Sequence, residues 1–527
     1  MATQWQTFPI QFSGGLITNL SPLQHGIQAV GSASIMQNFE PSLDGGYSKV
    51  LGYEKLIDAK PTVSTTDVMQ ALCVVDNDTV VVARGGDYYE GTISTDTWGS
   101  SLATAADTTF TSVKHQRYNF SGTEKIIFVD GTNFPAIYTK GSPSTVTYIT
   151  SSASNDAVED ASDVALYKST LFFAVGTELI FTAPFTDTDF TVANGAGSIN
   201  VVSPITGLAV YREQLIIFCS DRILRLVGST AADFQLITVT EEIGCIDGDT
   251  IQEVGGDIIF LGPDGIRTFS STERIGDFGL DVASKPIRPT VDSLVNTNTK
   301  LTSVVIVDKA QYRLFGYNTA TQVDASNGVL GTKFIDQGGT GLQWGTIKGF
   351  KAYVADSFID GNIGFYVFAN DDGYVYRMES GNSRDGSNIS AILETPYMPI
   401  SDPQVRKSFY KMDLYVEPLG SFNLNVNILL DQNKTGSVQP PQFNFNNSGG
   451  ASYFYDDPNA TYGYYSTPGD PNTAVGDTVY SVLLDENYNN QLVGSGKTVA
   501  IRFEDIGTNA SFTLDTVVLE FSTNDRQ

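Results

Sequence analysis

Apolar residues along this chain come in short bursts rich in β-branched and aromatic side chains, and Gly, Asp, Asn and Thr fill the intervals between them. Bursts of about five to eight residues bounded by turn formers predict strands. A surface helix would instead need apolar positions three and four apart, sustained over several turns. One stretch has that spacing. In residues 31–40, GSASIMQNFE, the side chains Ile35, Met36 and Phe39 follow a Ser-rich start, and a short helix is predicted there. Elsewhere the pattern is all-β.

The bursts also have a coarse period. Apolar triplets recur at 80–82, 126–128, 171–173, 216–218, 258–260, 313–315 and 366–368, and the steps between their last residues are 46, 45, 45, 42, 55 and 53. Most are followed by a turn and a second strand, as at Ser220-Asp221, Pro263-Asp264-Gly265 and Asp371-Asp372-Gly373. Units of about 40–50 residues holding two hairpins predict a β-propeller of roughly six to eight blades over residues 61–400. A single four-stranded blade cannot bury both its faces, and closing a ring packs each blade between two neighbours. The competing reading is a set of unrelated sheets at coincidental spacing, because the repeats share a pattern and not residues.

After Pro399 the texture changes. Longer, cleanly alternating segments such as SFYKMDLYVEP, SFNLNVNILLD, KTVAIRFED and SFTLDTVVLEFS predict an antiparallel sandwich over residues 401–527, preceded at the other end of the chain by an amino-terminal arm, residues 1–60. The sandwich is interrupted by a polar stretch, 434–477, carrying Tyr453, Phe454, Tyr455, Tyr462, Tyr464 and Tyr465. Six aromatics in one loop make it a candidate contact surface, with a loop packed against its own sandwich as the alternative.

Composition narrows the function. The chain has 527 residues, with Lys+Arg 31 against Asp+Glu 59 and a formal net charge of −28. Ordinary nucleic-acid binding and docking on anionic membranes are disfavoured, since both need cations to meet phosphates. No apolar run is long enough to span a bilayer, and the opening residues lack the basic and apolar regions of a secretory signal, so no membrane insertion is expected. Cys73, Cys219 and Cys245 form an odd set without a CxxC, and with only His25 and His115 in the chain no metal site is expected from them. They are predicted to be free thiols of a protein made in a reducing cytoplasm.

The candidate motifs are weak. Residues 494–498, Gly-Ser-Gly-Lys-Thr, match the tail of a P-loop, but Gln491 stands where its first glycine belongs and a strand pattern follows, so a turn is predicted. Ser94-Thr-Asp96-Thr-Trp98-Gly99 is a degenerate Asp-box, and no catalytic constellation or cofactor site is recognisable. Acidic turns at Asp76, Asp187, Asp247 and Asp371 lack the continuation of a calcium loop. The densest acidic stretch supplies a candidate patch of Asp156, Glu159, Asp160 and Asp163, read either as a solvated loop or as part of a DNA-repelling wall.

The two ends carry a resemblance. The opening runs Phe12-Ser-Gly14-Gly15-Leu16, Leu20-Ser21-Pro22, Gln37-Asn38-Phe39-Glu40-Pro41, Gly45-Gly46-Tyr47-Ser48-Lys49-Val50 and Leu51-Gly52-Tyr53-Glu54-Lys55-Leu56. It resembles the start of the tail nozzle, or tail tubular, proteins of short-tailed bacteriophages (podoviruses). The segments Gly496–Arg502, Ser511–Leu514 and Val517–Ser522 are similar to their last strands. The resemblance implies a structural virion protein and no enzyme. It implies a homo-oligomeric, hexameric ring below the tail adaptor protein, which extends the DNA-ejection channel, meets tail fibres or spikes, and lets genomic DNA pass without specific contacts. The alternatives are another tail component, a hub or receptor-binding protein whose aromatic loop contacts host glycans, or a propeller glycan hydrolase.

Overall fold

In a computed structural model, residues 5–62, 68–150, 158–275, 282–319, 327–336, 339–361, 363–433, 439–447, 478–483 and 495–523 are described. Among them, strands arranged in many small antiparallel sheets dominate. Seven sheets follow one another along the chain. The first is built on Met69–Val74, Thr79–Arg84 and Asp87–Thr92. The second to fourth, four strands each, begin with Lys114–Tyr118, Asp163–Tyr167 and Ile205–Tyr211. The fifth has three strands, Gln252–Val254, Asp257–Gly262 and Gly265–Thr268, and continues into a helix, Phe269–Ile275. The sixth begins with Lys300–Ile306. The seventh consists of Val354–Asp360, Ile363–Ala369 and Val375–Met378, completed by Tyr53–Lys55 from the arm.

Each of the seven apolar triplets lies in the second strand of its sheet. Strand alternation sends successive side chains to opposite neighbours. Ile126 and Phe128 pack with Ala71 and Val81 of the first sheet, while Ile127 and Val129 pack with Leu171 and Phe173 of the third. Phe172 meets Leu215 and Ile217, Ile216 and Phe218 meet Ile258 and Phe260, and Ile259 and Leu261 meet Tyr312 and Leu314. Phe315 and Leu330 pack with Phe368 and Tyr376, and the last cluster joins Val367 and Val375 of the seventh sheet to Leu72 and Val82 of the first.

The boundaries expected near residues 60 and 400 do not separate hydrogen-bonded units. The sixth sheet runs on through Ile35–Gln37 of the arm to Ile389–Glu394, Val499–Gly507 and Phe422–Leu430, nine strands in all. Facing it, the long strands Lys407–Pro418 and Phe512–Thr523 pair with each other, and Gln6–Gln11 and Tyr47–Lys49 pair with the latter. The two layers enclose Met412, Leu414, Val416, Leu514, Val517 and Leu519 on one side and Leu424, Val426, Ile428, Ile501 and Phe503 on the other. Lys49 is buried in this junction, 3.4 Å from Asp505.

The helix predicted over residues 31–40 is corrected. Ile35–Gln37 and Phe39–Pro41 are strands, and the arm's helix is Pro22–Gln28. Asn38 takes a left-handed conformation between the two strands, φ 54°. Its side chain donates to the Ser390 carbonyl at 2.7 Å and accepts from the Lys348 amide at 2.8 Å. Two open sheet edges thus offer pairing that a solitary helical turn cannot match. The glycines of the arm have local causes: at Gly15, φ +67°, a Cβ would lie 2.7 Å from the Trp344 amide, and at Gly52 it would lie 1.9 Å from the Ser383 carbonyl.

Besides strand pairing, two buried side-chain groups help to hold the arm in place. Tyr53 packs its ring against Phe350, Phe368 and Tyr376 at centroid separations of 5.1, 5.0 and 5.2 Å and donates to the Gly349 carbonyl at 3.2 Å. Glu40 enters a buried ion cluster with Lys309 and with Arg313, whose guanidinium lies 3.1 Å from it and 2.7 Å from Glu379. Burial alone would raise the Glu379 carboxyl, but Arg313 and Lys309 outweigh it and hold the group well below its ordinary 4.5.

Tyr53→Ala is expected to lower the unfolding free energy by about 3–5 kcal/mol, and Tyr53→Phe by about 1 kcal/mol, in denaturant titrations. Equal costs would show that the ring does not anchor the seventh sheet. Glu379 binds fewer protons folded than unfolded, so its contribution is present above pH 4.5 and lost as pH falls through its lowered folded value. Glu379→Gln is therefore expected to destabilise the protein at neutral pH and to flatten the acid limb of a stability–pH curve. An unchanged limb would contradict the assignment.

Candidate functional site

The first strands of the sheets stand against one another. Val354–Asp360 touches both Met69–Val74 and Lys300–Ile306, Lys114–Tyr118 touches Asp163–Tyr167, and that strand touches Ile205–Tyr211. A first strand is laddered on one side only, so the amides of its other edge need partners. Side chains of the preceding sheet supply several. Gln116 Oε1 accepts from the Leu166 amide at 3.3 Å, Asp163 Oδ2 from Leu208 at 2.7 Å, and Asp356 Oδ2 from Val74 at 2.8 Å.

Between these strands lies a polar cavity of about 280 Å³, lined among others by Lys114, His115, Asp249, Lys300 and Asp356. Lys114 Nζ is 2.7 Å from Asp249 Oδ1 and donates to the Gly248 carbonyl at 2.9 Å. Lys300 Nζ donates to the Thr111 carbonyl at 2.6 Å and stands 3.9 Å from Asp249 Oδ2, which also accepts from the Ser112 hydroxyl at 2.7 Å. Burial opposes the charge on Lys114, but Asp249 and Asp163 outweigh it and push its pKa up. For Lys300 burial wins, helped by the like charge of Lys114, and its pKa is lowered. Burial would raise Asp249, yet the two lysines hold it below its ordinary value; burial does raise Asp163 and Asp247. The charges here satisfy one another, and the space is far narrower than a nucleic-acid duplex.

The candidate acidic patch divides. Asp156 lies outside the described residues, Glu159 and Asp160 are exposed, and Asp163 is buried. Asp163 is therefore removed from any solvent-facing patch: its carboxylate also accepts from the Val164 amide at 2.7 Å and joins the third sheet to the fourth. Tyr453, Phe454, Tyr455, Tyr462, Tyr464 and Tyr465 lie outside the described residues.

The weak motifs are local structure. Asp96 accepts from the Asp58 amide at 2.7 Å and Trp98 donates to the Ala59 carbonyl at 2.9 Å, tying the arm to the first sheet. Lys497 donates its amide to Asp431 at 2.7 Å in a turn that leads into Val499–Gly507. Among the acidic turns, Asp76 pairs with Lys140, Asp187 with Lys125, and Asp371 with Lys351.

One grouping was invisible in the sequence. His115 is far from Cys73 along the chain but beside it in space. Cys73 Sγ, a His115 ring nitrogen and an Asp356 carboxylate oxygen lie within 4.8 Å of one another, contributed by the first strands of the first, second and seventh sheets. Burial pushes the Cys73 thiol well up and the His115 imidazole down. A buried, protonated thiol is no nucleophile. Cys219 and Cys245 are buried free thiols.

No family model matches this chain, and no curated protein does. Among solved structures it is similar to the extracellular domain of BT4673 from B. thetaiotaomicron, at 10% identity and a TM-score of 0.37 over 68% of this chain. It is also similar to Raptor from Chaetomium thermophilum, at 9% identity and a TM-score of 0.39 over 63%. The matches span 43% and 29% of those two chains. Likeness at this level assigns no function.

Lys114→Met is expected to cost about 3–5 kcal/mol in denaturant titrations, because it leaves buried carboxylates without their nearest cation. Lys140→Met, which breaks an exposed pair with Asp76, is expected to cost less than about 1 kcal/mol. Similar costs for the two would deny the cavity's ion pairs a structural role.

Proposed function

We propose that the chain is a structural virion protein, the tail nozzle of a short-tailed phage. In this reading its seven sheets form a β-propeller and its paired ends form the platform through which copies join. The observation that supports it is the position of the two segments carrying the resemblance. Tyr47–Lys49, in the opening that carries the resemblance, is hydrogen-bonded to Phe512–Thr523, which holds the similar last strands, so both ends belong to one sheet, and that sheet faces the sixth.

Among the described residues, the paired charges between the first strands leave no room for a duplex there. A channel for the genome therefore runs between copies, in a closed ring, hexameric as the resemblance implies. The ring sits below the adaptor protein and beside fibres or spikes. A net charge of −28 on each copy suits a conduit that must not hold phosphates. The chemistry of such a protein is association and geometry.

Antibody raised against the chain and coupled to gold is expected to label virions on the axis at the distal end of a short tail. Gold on lateral fibres or spikes would replace this reading with receptor binding. Absence of label on intact and disrupted particles would remove the virion role.

A further inference from the structure

We propose that Cys73, His115 and Asp356 form a binding site for a single zinc ion. The three donor atoms lie within 4.8 Å of one another, and His115 Nε2 is 3.8 Å from Asp356 Oδ1. A tetrahedral zinc with ligands at about 2.0–2.3 Å spaces its donors roughly 3–4 Å apart, so small side-chain rotations complete the shell. Sulfur, imidazole and carboxylate together suit zinc and do not suit magnesium or calcium, which take oxygen.

The surroundings fit an ion as well as the donors do. His115 and Asp356 line the 280 Å³ cavity, which gives an entry path and room for a water as the fourth ligand. Asp356 is held by the amides of Val74 at 2.8 Å and Ser357 at 2.9 Å, so its carboxylate is oriented before any ion arrives. Thiolate and carboxylate neutralise a divalent charge, as a buried site requires.

The nearest cation is Arg117, with Nη2 3.8 Å from the sulfur. Its guanidinium is committed elsewhere: it donates to the Val75 carbonyl at 2.8 Å, pairs with Glu124 at 3.5 Å and lies over the Phe358 ring at 4.4 Å. It remains a second-layer donor to the bound sulfur.

Binding breaks the Cys73 S–H bond, forms an S–Zn bond and releases one proton to the buffer. The ion would join the first, second and seventh sheets where the arm completes the last of them. Its role is a staple.

Cobalt(II) titrated into the full-length, metal-stripped protein is the test. One equivalent is expected to bind with a thiolate-to-cobalt charge-transfer band in the near ultraviolet, and zinc should displace it. Cys73→Ser should abolish the band and weaken uptake at least tenfold. His115→Gln should weaken uptake similarly, while Cys219→Ser and Cys245→Ser leave it unchanged. Zinc should raise the melting midpoint of the wild-type chain by several degrees and leave that of Cys73→Ser in place. Lack of stoichiometric uptake by the wild-type protein, or a band that survives Cys73→Ser, would overturn the proposal.

Discussion

The pairing of Tyr53–Lys55 with Val375–Met378 is the contact on which the remaining architecture rests. Until it forms, the seventh sheet has three strands and an open edge, and the cluster joining Val367 and Val375 to Leu72 and Val82 has an unsupported wall. The partners are far apart in the chain, so closure costs loop entropy that no local contact returns. Tyr53 offsets that cost by burying an aromatic ring against three others, and Arg313 ties Glu40 of the arm to Glu379, the residue after Val375–Met378.

The same logic operates between the first strands. Each exposes one unladdered edge, and a wet, open centre would leave those amides to water. Instead Gln116, Asp163 and Asp356 reach across to the next strand, and the paired charges of Lys114, Asp249 and Lys300 line the cavity between them. Acidic residues in this chain thus do two different things. Some are buried acceptors that join sheets, and the exposed remainder, including Glu159 and Asp160, gives the molecule its negative field.

Much of the fold was legible because its signal is local. The apolar triplets marked the second strand of every one of the seven sheets, and the alternation after Pro399 marked the long paired strands. What sequence could not give was the partner of each edge. Ile35, Met36 and Phe39 satisfy helical spacing, yet Ile35–Gln37 becomes a strand because two distant edges accept it. Asp163 sat in an acidic run and looked solvated, but its register on the first strand of the third sheet turns it inward. Cys73, His115 and Asp356 share no spacing, and only the convergence of three sheets brings them together.

In the proposed tail-nozzle reading, these sheets and joined ends make one subunit of an axial tail ring. Electron cryomicroscopy of tails released from virions tests it most directly. The account predicts density for this chain in a closed ring around the tail axis, with the layer containing Gln6–Gln11 and Phe512–Thr523 at the contacts between copies and the channel outside every subunit. Single copies placed off the axis, or tails that lack the chain, would contradict it.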